Sequence, residues 1–149
     1  MTENVLSTPG HLISLAARGF ARLSESRLKP LGFGVGQLPV LIALHNGVAS
    51  TQRDLARFAK VEQPQMAQML ARMERDGLIK RNLVPADGRT SQIVLTNAAK
   101  KRMPEAITAL FQGNSEAMNG FTPAEAAQLI DLLTRLIGNL DRIAKTSLG

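Results

Sequence analysis

Cysteine, tryptophan and tyrosine are all absent from the 149 residues of this chain, and only five residues are aromatic, all of them phenylalanine. Without a thiol there is no disulfide, no thiolate metal site, no cysteine nucleophile and no thiol redox sensor. Five phenylalanines are also few for the exposed stacking platforms that hold RNA or single strands. Long apolar runs are missing too. The longest, Leu38 to Leu44, falls far short of the ~20 residues that cross a bilayer as a helix. The first residues lack the basic-then-apolar layout of a signal peptide, so a cytoplasmic location is the expectation. No repeat, low-complexity tract or clean boundary divides the chain, which suits one domain over residues 1–149 with a sizeable core.

What the chain does have is positive charge in one place. Eighteen Lys/Arg against twelve Asp/Glu give a formal net charge of +6 and a pI near 10.5. Residues 51–102 hold eleven basic and five acidic side chains, and the remainder holds seven of each. The whole net charge therefore sits in the central segment. Such a balance suits an anionic partner, nucleic acid being the commonest, although mild basicity by itself is shared by many proteins. The 44% hydrophobic content and 20% charge belong to an ordered chain rather than a disordered tail.

Helical periodicity dominates. From about residue 8 to 28, Leu12, Leu15, Ala16, Phe20 and Leu23 recur at steps of three and four, as on one face of a helix. Residues 29–36 contain four helix breakers and leave no room for a regular element. Gln37 to His45 reads as a second, largely apolar helix ending near Asn46-Gly47. Thr51-Gln-Arg-Asp54 reads as the start of a third, with a threonine cap and an aspartate in the first turn. Leu55, Phe58 and Ala59 form its expected buried stripe.

The fourth helix and the segment after it carry the most information. Pro64 fits a first helical position, and Gly77 a left-handed helix stop. Between them Met66, Leu70 and Met73, with Met69 beside them, make an apolar face, and Gln65, Gln68, Arg72 and Arg75 fall on the other. Leu78 to Arg81 and Gln92 to Leu95 then read as two short strands around Pro85-Ala-Asp-Gly-Arg89, a hairpin with an extended tip. A helix leading into a basic hairpin can put side chains in a DNA major groove while a loop reaches the neighbouring minor groove. Further on, residues 97 to about 119 form a helix with Pro104 as an expected kink. Thr122-Pro-Ala-Glu125 matches a capping box. Behind it Leu129, Leu133, Leu136, Leu140 and Ile143 repeat at alternating steps of three and four, widened by Ile130, Ile137 and Ala144. So broad an apolar face on a terminal helix needs a partner.

In this order the residues resemble the MarR family of winged helix-turn-helix transcriptional regulators. The resemblance is carried by Leu70-x-x-Met-Glu-x-x-Gly-Leu-Ile-x-Arg81, then Asp87-x-Arg89, then Leu95-Thr96. A weaker match is Leu31-Gly-x-x-x-x-Gln37. The departures are specific. Phe33 and Gly34 replace a leucine and the threonine that caps the second helix. Gly88 stands where the family has a second wing arginine, and Ala99 where a glycine follows L-T-x-x. The helix-turn-helix turn has Glu62 and Gln63 in place of a Ser/Thr cap.

The resemblance implies a mainly α fold with a small β-hairpin wing. A winged helix-turn-helix lobe would span residues 32–99, and a helical dimerisation region residues 1–31 and 100–149. It implies a homodimer on a pseudo-palindromic operator in double-stranded DNA, most often a repressor, released by a small-molecule effector. No cofactor, metal or membrane is implied. Leu12, with Leu129, Leu133, Leu136, Leu140 and Ile143, would lie in the dimer interface. Arg89 would enter the minor groove, and Asp87 would orient nearby arginines, with Arg81 at the hairpin base as a partner. The family's effector pocket lies between its dimerisation helices and its DNA-binding lobe, and His11, Arg18 and His45 are on elements that could line it. Placement at the surface or at helix ends accounts better for each of those three.

From the residues themselves, Gln65 and Gln68 can offer amides to adenine N6/N7, or can simply be good helix formers on a wet face. Gln63 is placed to reach a base edge or a phosphate. Arg72 and Arg75 suit phosphates, with Glu74 or Asp76 as the alternative partner for Arg75. Lys100, Lys101 and Arg102 read as a solvated helix face. No His/Asp/Glu cluster has metal-ligand spacing, no nucleophile and base are set together, and Gly32, Gly34 and Gly36 do not fit a dinucleotide motif. An enzyme is thus disfavoured. A basic helical protein–protein module without specific DNA binding remains the alternative.

Overall fold

A computed structural model describes residues 4–83 and 91–148 of the chain. The long helices are α1 (Pro9–Leu28), α2 (Leu38–Asn46), α3 (Gln52–Ala59) and α4 (Gln63–Arg75), followed by strands β1 (Ile79–Leu83) and β2 (Ser91–Leu95), then α5 (Asn97–Ala117) and α6 (Pro123–Leu148). The chain divides into two compact units, the first running to Gly113 and the second beginning at Asn114.

In the first unit, the breaker-rich segment after α1 is not wholly irregular. Two short 3-10 turns, Lys29–Leu31 and Val35–Gln37, occupy it. Gly32 ends the first of them at φ +83, and the Arg102 guanidinium of α5 donates to the Leu31 carbonyl at 3.2 Å. A Cβ on Gly32 would come within 2.8 Å of that guanidinium. Arg102, exposed with Lys100 and Lys101 on the solvated face of α5, thus also fastens that helix to the entry to α2. Gly34 has no side chain to cap the turn, and only the reciprocal bond forms: Gln37 Oε1 accepts from the Gly34 N–H at 2.9 Å.

Helix α3 begins as the sequence suggests, Thr51 Oγ1 accepting from the Asp54 N–H at 3.2 Å. Its buried stripe is shifted. Leu55 and Ala56 are buried, Ala59 is half-buried, and Phe58 is 46% exposed. The helix ends not on glycine but on Lys60, at φ +58. The Lys60 N–H still closes onto the Arg57 carbonyl at 3.2 Å and the Val61 N–H onto the Ala56 carbonyl at 3.0 Å. That pair of bonds offsets the cost of a left-handed non-glycine residue.

Helix α4 ends in a Schellman motif. Gly77 (φ +77) donates to the Glu74 carbonyl at 3.1 Å, and Leu78 donates to the Met73 carbonyl at 2.9 Å, which satisfies two end carbonyls and turns the chain straight into β1. Strands β1 and β2 pair antiparallel from Ile79 opposite Leu95 to Leu83 opposite Ser91. Hydrogen bonds at Ile93 and Thr96 hold this hairpin to the helices. The Ile93 N–H reaches the Ser50 carbonyl in the α2–α3 connection at 2.7 Å. Thr96 Oγ1 donates to the Gly77 carbonyl at 2.7 Å and accepts from the Ala99 N–H at 3.2 Å. One hydroxyl thus locks the end of α4 to the start of α5.

The core is a single cluster that takes Val40, Leu41 and Ala43 from α2, Leu55 and Ala56 from α3, and Met66, Leu70 and Met73 from α4. Leu78 just before β1, Ile79, Ile93 and Leu95 of the strands and Ala99, Met103 and Ala106 from α5 join them, with Leu28, Phe33 and Ala49. Pro104 lies inside α5, where it removes one backbone donor without ending the helix. Phe111, further along α5, is 73% exposed.

In the second unit the capping box at the head of α6 is formed in both directions. The Thr122 N–H reaches Glu125 Oε1 at 2.9 Å, and the Glu125 N–H reaches Thr122 Oγ1 at 3.1 Å.

Candidate nucleic-acid interface

Helix α4 has two faces of opposite character. Met66, Leu70 and Met73 are wholly buried, so the helix cannot roll without withdrawing three side chains from the core. Truncating any one of them should cost about 2–5 kcal/mol. This anchoring turns Gln63, Gln65, Gln68, Arg72 and Arg75 outward, and all five are exposed. The outer face is cationic and amide-rich with no acidic residue until Glu74, which is a surface able to hold phosphates and read base edges.

The ion pairs on this surface are loose. Arg75 Nε lies 3.9 Å from Asp76 Oδ1, with both side chains more than half exposed. So weak a surface pair leaves Arg75 available to a phosphate. Arg81 Nε lies 3.6 Å from Glu74 Oε1. The pair sets Arg81 of β1 beside the last turn of α4, a partner the sequence spacing does not indicate. Asp87 and Arg89, with Gly88 between them, lie outside the described residues.

At the foot of the hairpin is a groove of about 570 Å³, lined by Thr51, Gln52, Arg53 and Asp54 of the α3 start, Gln63 of α4, and Arg81, Ser91 and Ile93 of the strands. Gln52 Nε2 donates to Gln63 Oε1 there at 3.4 Å. Linear spacing does not mark Gln52 or Arg53 as groove residues. The available signal was that Gln52 and Gln63 open successive helices. Glu62, the residue before α4, makes no side-chain capping bond, as its type suggests.

The three candidate effector residues are dispersed. His11 is half-buried in the first turn of α1, Arg18 is exposed further along it, and His45 is exposed at the end of α2. His45 lines a cavity of about 470 Å³ between α2, β2 and Lys100 of α5, whose lining includes neither His11 nor Arg18. Among the described residues no group of three or more His, Cys, Asp or Glu could hold a metal ion. No helix there is long and apolar enough to cross a membrane.

Of the proposed interface residues on unit one, Leu12 is 50% exposed. On α6, Leu129, Leu140 and Ile143 are exposed, and Leu133 and Leu136 are half-buried.

Comparison with known proteins agrees with this geometry. A family model described as MarR family matches residues 31–90, from the α1–α2 connection to the hairpin. The crystal structure of the transcriptional regulator PA3341 is 30% identical, covers 89% of this chain and 98% of its own, and superposes with a TM-score of 0.76. A putative MarR family transcriptional regulator from Listeria monocytogenes, solved with a 26mer DNA, shares the fold at 22% identity, with 93% and 90% coverage and a TM-score of 0.79. BpsR of Bordetella bronchiseptica, whose DNA binding is regulated by 6-hydroxynicotinic acid, shares it at 20% identity, with 91% and 97% coverage and a TM-score of 0.80. With its mainly helical fold, two-stranded wing and outward-facing fourth helix, the chain belongs to the MarR family of transcriptional regulators.

Proposed function

We propose that the protein is a sequence-specific double-stranded DNA-binding regulator that acts as a homodimer on a pseudo-palindromic operator, represses transcription, and is released by a small-molecule effector. The observation that carries this reading is the outer face of α4. Three wholly buried side chains hold Gln63, Gln65, Gln68, Arg72 and Arg75 outward, in the segment that contains the chain's entire net charge. In this reading Gln63, Gln65 and Gln68 read base edges in the major groove. Arg72 and Arg75 hold phosphates, and Arg81, Asp87 and Arg89 serve the wing.

Homodimerisation is supported by α6, where Ile130, Leu132, Ile137, Leu140 and Ile143 are 47–66% exposed in the single chain. A two-fold dimer carries two recognition helices about one turn of DNA apart, which is why the operator should be near-palindromic. An effector response is supported by the related fold of BpsR, regulated by 6-hydroxynicotinic acid, with His11, Arg18 and His45 as candidate contacts. An effector that binds better when the recognition helices are mis-spaced shifts the population away from DNA.

Binding of the protein to duplex from its own promoter, measured over a range of salt, tests the reading. A steep negative slope of log affinity against log salt is expected, together with clear preference over random duplex. Equal affinity for any duplex would sink the sequence-specific regulator and leave the basic interaction module. Gln68→Ala should lose roughly 1–3 kcal/mol of discrimination at one base position.

A further inference from the structure

Two glutamines in equivalent places of successive helices face each other across the helix-turn-helix. Gln52 is the first residue of α3 and Gln63 the first of α4, and the Gln52 amide donates to Gln63 Oε1 at 3.4 Å. We propose that Gln52 is a positioning residue for specificity: it holds the Gln63 side-chain amide in one orientation, so that Gln63 presents a defined donor–acceptor edge to one base pair. The proposal rests on α4 reading DNA as described above.

The last torsion of a glutamine is broad and roughly two-fold. A free surface amide can therefore offer oxygen or nitrogen to the same base atom, and discriminates poorly between bases that need one or the other. An amide oxygen has two lone pairs, and its NH2 group two hydrogens. Accepting one bond from Gln52 leaves Gln63 a lone pair and both N–H groups, enough for the paired contact to adenine N6 and N7. Turning the Gln63 amide over by itself would set NH2 against NH2 and lose the bond, so it can turn only if the half-buried Gln52 amide turns with it. The bond thus couples the exposed amide to the half-buried one without using up the reading edge.

The two residues are unequal, which assigns the roles. Gln52 is half-buried and Gln63 exposed. Gln52 stands in a first turn capped by Thr51, three residues before the wholly buried Leu55. It is the anchored partner, and Gln63 the one free to meet DNA. Arg53 and Arg81 line the same groove and draw the DNA backbone towards it, which brings a base pair to Gln63 at the helix end that enters the major groove first.

Selection from a randomised duplex library by the full-length protein tests this, with the wild type, Gln52→Met, Gln63→Met and the double variant compared and folding checked by thermal melting. Methionine keeps side-chain length and helix propensity and removes the hydrogen bonds. Gln63→Met should abolish preference at one symmetry-related pair of positions. Gln52→Met should reduce preference at those same positions by about three- to tenfold, and the double variant should be no worse there than Gln63→Met. If Gln52→Met weakens all sequences equally, or still adds its effect in the double variant, the positioning role is overturned while the regulator stands. If Gln63→Met changes no position, Gln63 is not a reader and the proposal goes with it. A wild type that selects no motif removes the sequence-reading function itself, and with it the proposal. A measurement on the wild type alone is independent of any variant's folding: nuclear magnetic resonance should find the Gln63 side-chain amide ordered in the free protein, and a mobile amide would overturn the proposal.

Discussion

Glu62 stands at the head of α4 and its side chain caps nothing. Its carboxylate suits the helix dipole, yet it sits at the end of α4 that would approach DNA phosphates. Glu62→Ser should supply the missing cap and raise stability by about 0.5–1 kcal/mol in urea melts. It should also tighten operator binding roughly three- to fivefold, the scale of one charge near a phosphate in water. If binding weakens instead, with a cytosine preference lost, Glu62 is a base contact. Arg72 presents a simpler case, exposed on the outer face. Arg72→Ala should flatten the salt slope by about one unit and weaken all sequences alike; an unchanged slope would take Arg72 off the phosphates. These residue types were legible in the sequence, because a three-and-four spacing decides which side of a helix each one takes. The partners were not. Arg81 lies against Glu74 and Arg102 bonds the Leu31 carbonyl, both contacts set by how elements pack rather than by sequence spacing.

Among the elements, the hairpin is tied to its neighbouring helices through Thr96. A two-stranded ribbon is marginal alone, and here one hydroxyl joins it to the end of α4 and to the first turn of α5. Thr96→Val keeps the shape and removes both bonds, so a loss of about 1–3 kcal/mol in chemical denaturation is expected, with Thr96→Ser recovering most of it. A variant as stable as the wild type would show the clamp to be ornamental. The Leu-Thr signature that helped mark the family thus has a mechanical reason. Element types and most boundaries followed from periodicity, breakers and caps. The exceptions arose where tertiary contacts prevail: the 3-10 turns before α2, the left-handed Lys60 ending α3, and Phe58, whose helical position is right for a core but whose neighbours leave it exposed.

For the whole molecule, the open question is assembly. Leu140 is 55% exposed on α6, and a broad apolar stripe left in water is a liability that a second copy would remove. Leu140→Asp should therefore give a folded monomer by sedimentation, with operator affinity down a hundredfold or more as the second half-site contact is lost. A dimer of undiminished affinity would place the interface elsewhere.

The sequence by itself determined the kind of molecule this is. The period of its apolar residues, its caps and its glycine stops dictate the helices and strands. The charge of residues 51–102, with the Asp-x-Arg and Leu-Thr pairs, indicates what those elements meet, because both properties are local to the chain. Only the tertiary structure decided which side chains answer one another across elements. Gln52 with Gln63, Arg81 with Glu74, and Thr96 with Gly77 meet because α4 is pinned by three buried side chains and the hairpin is drawn against it. Contacts of that kind depend on where separate elements come to rest.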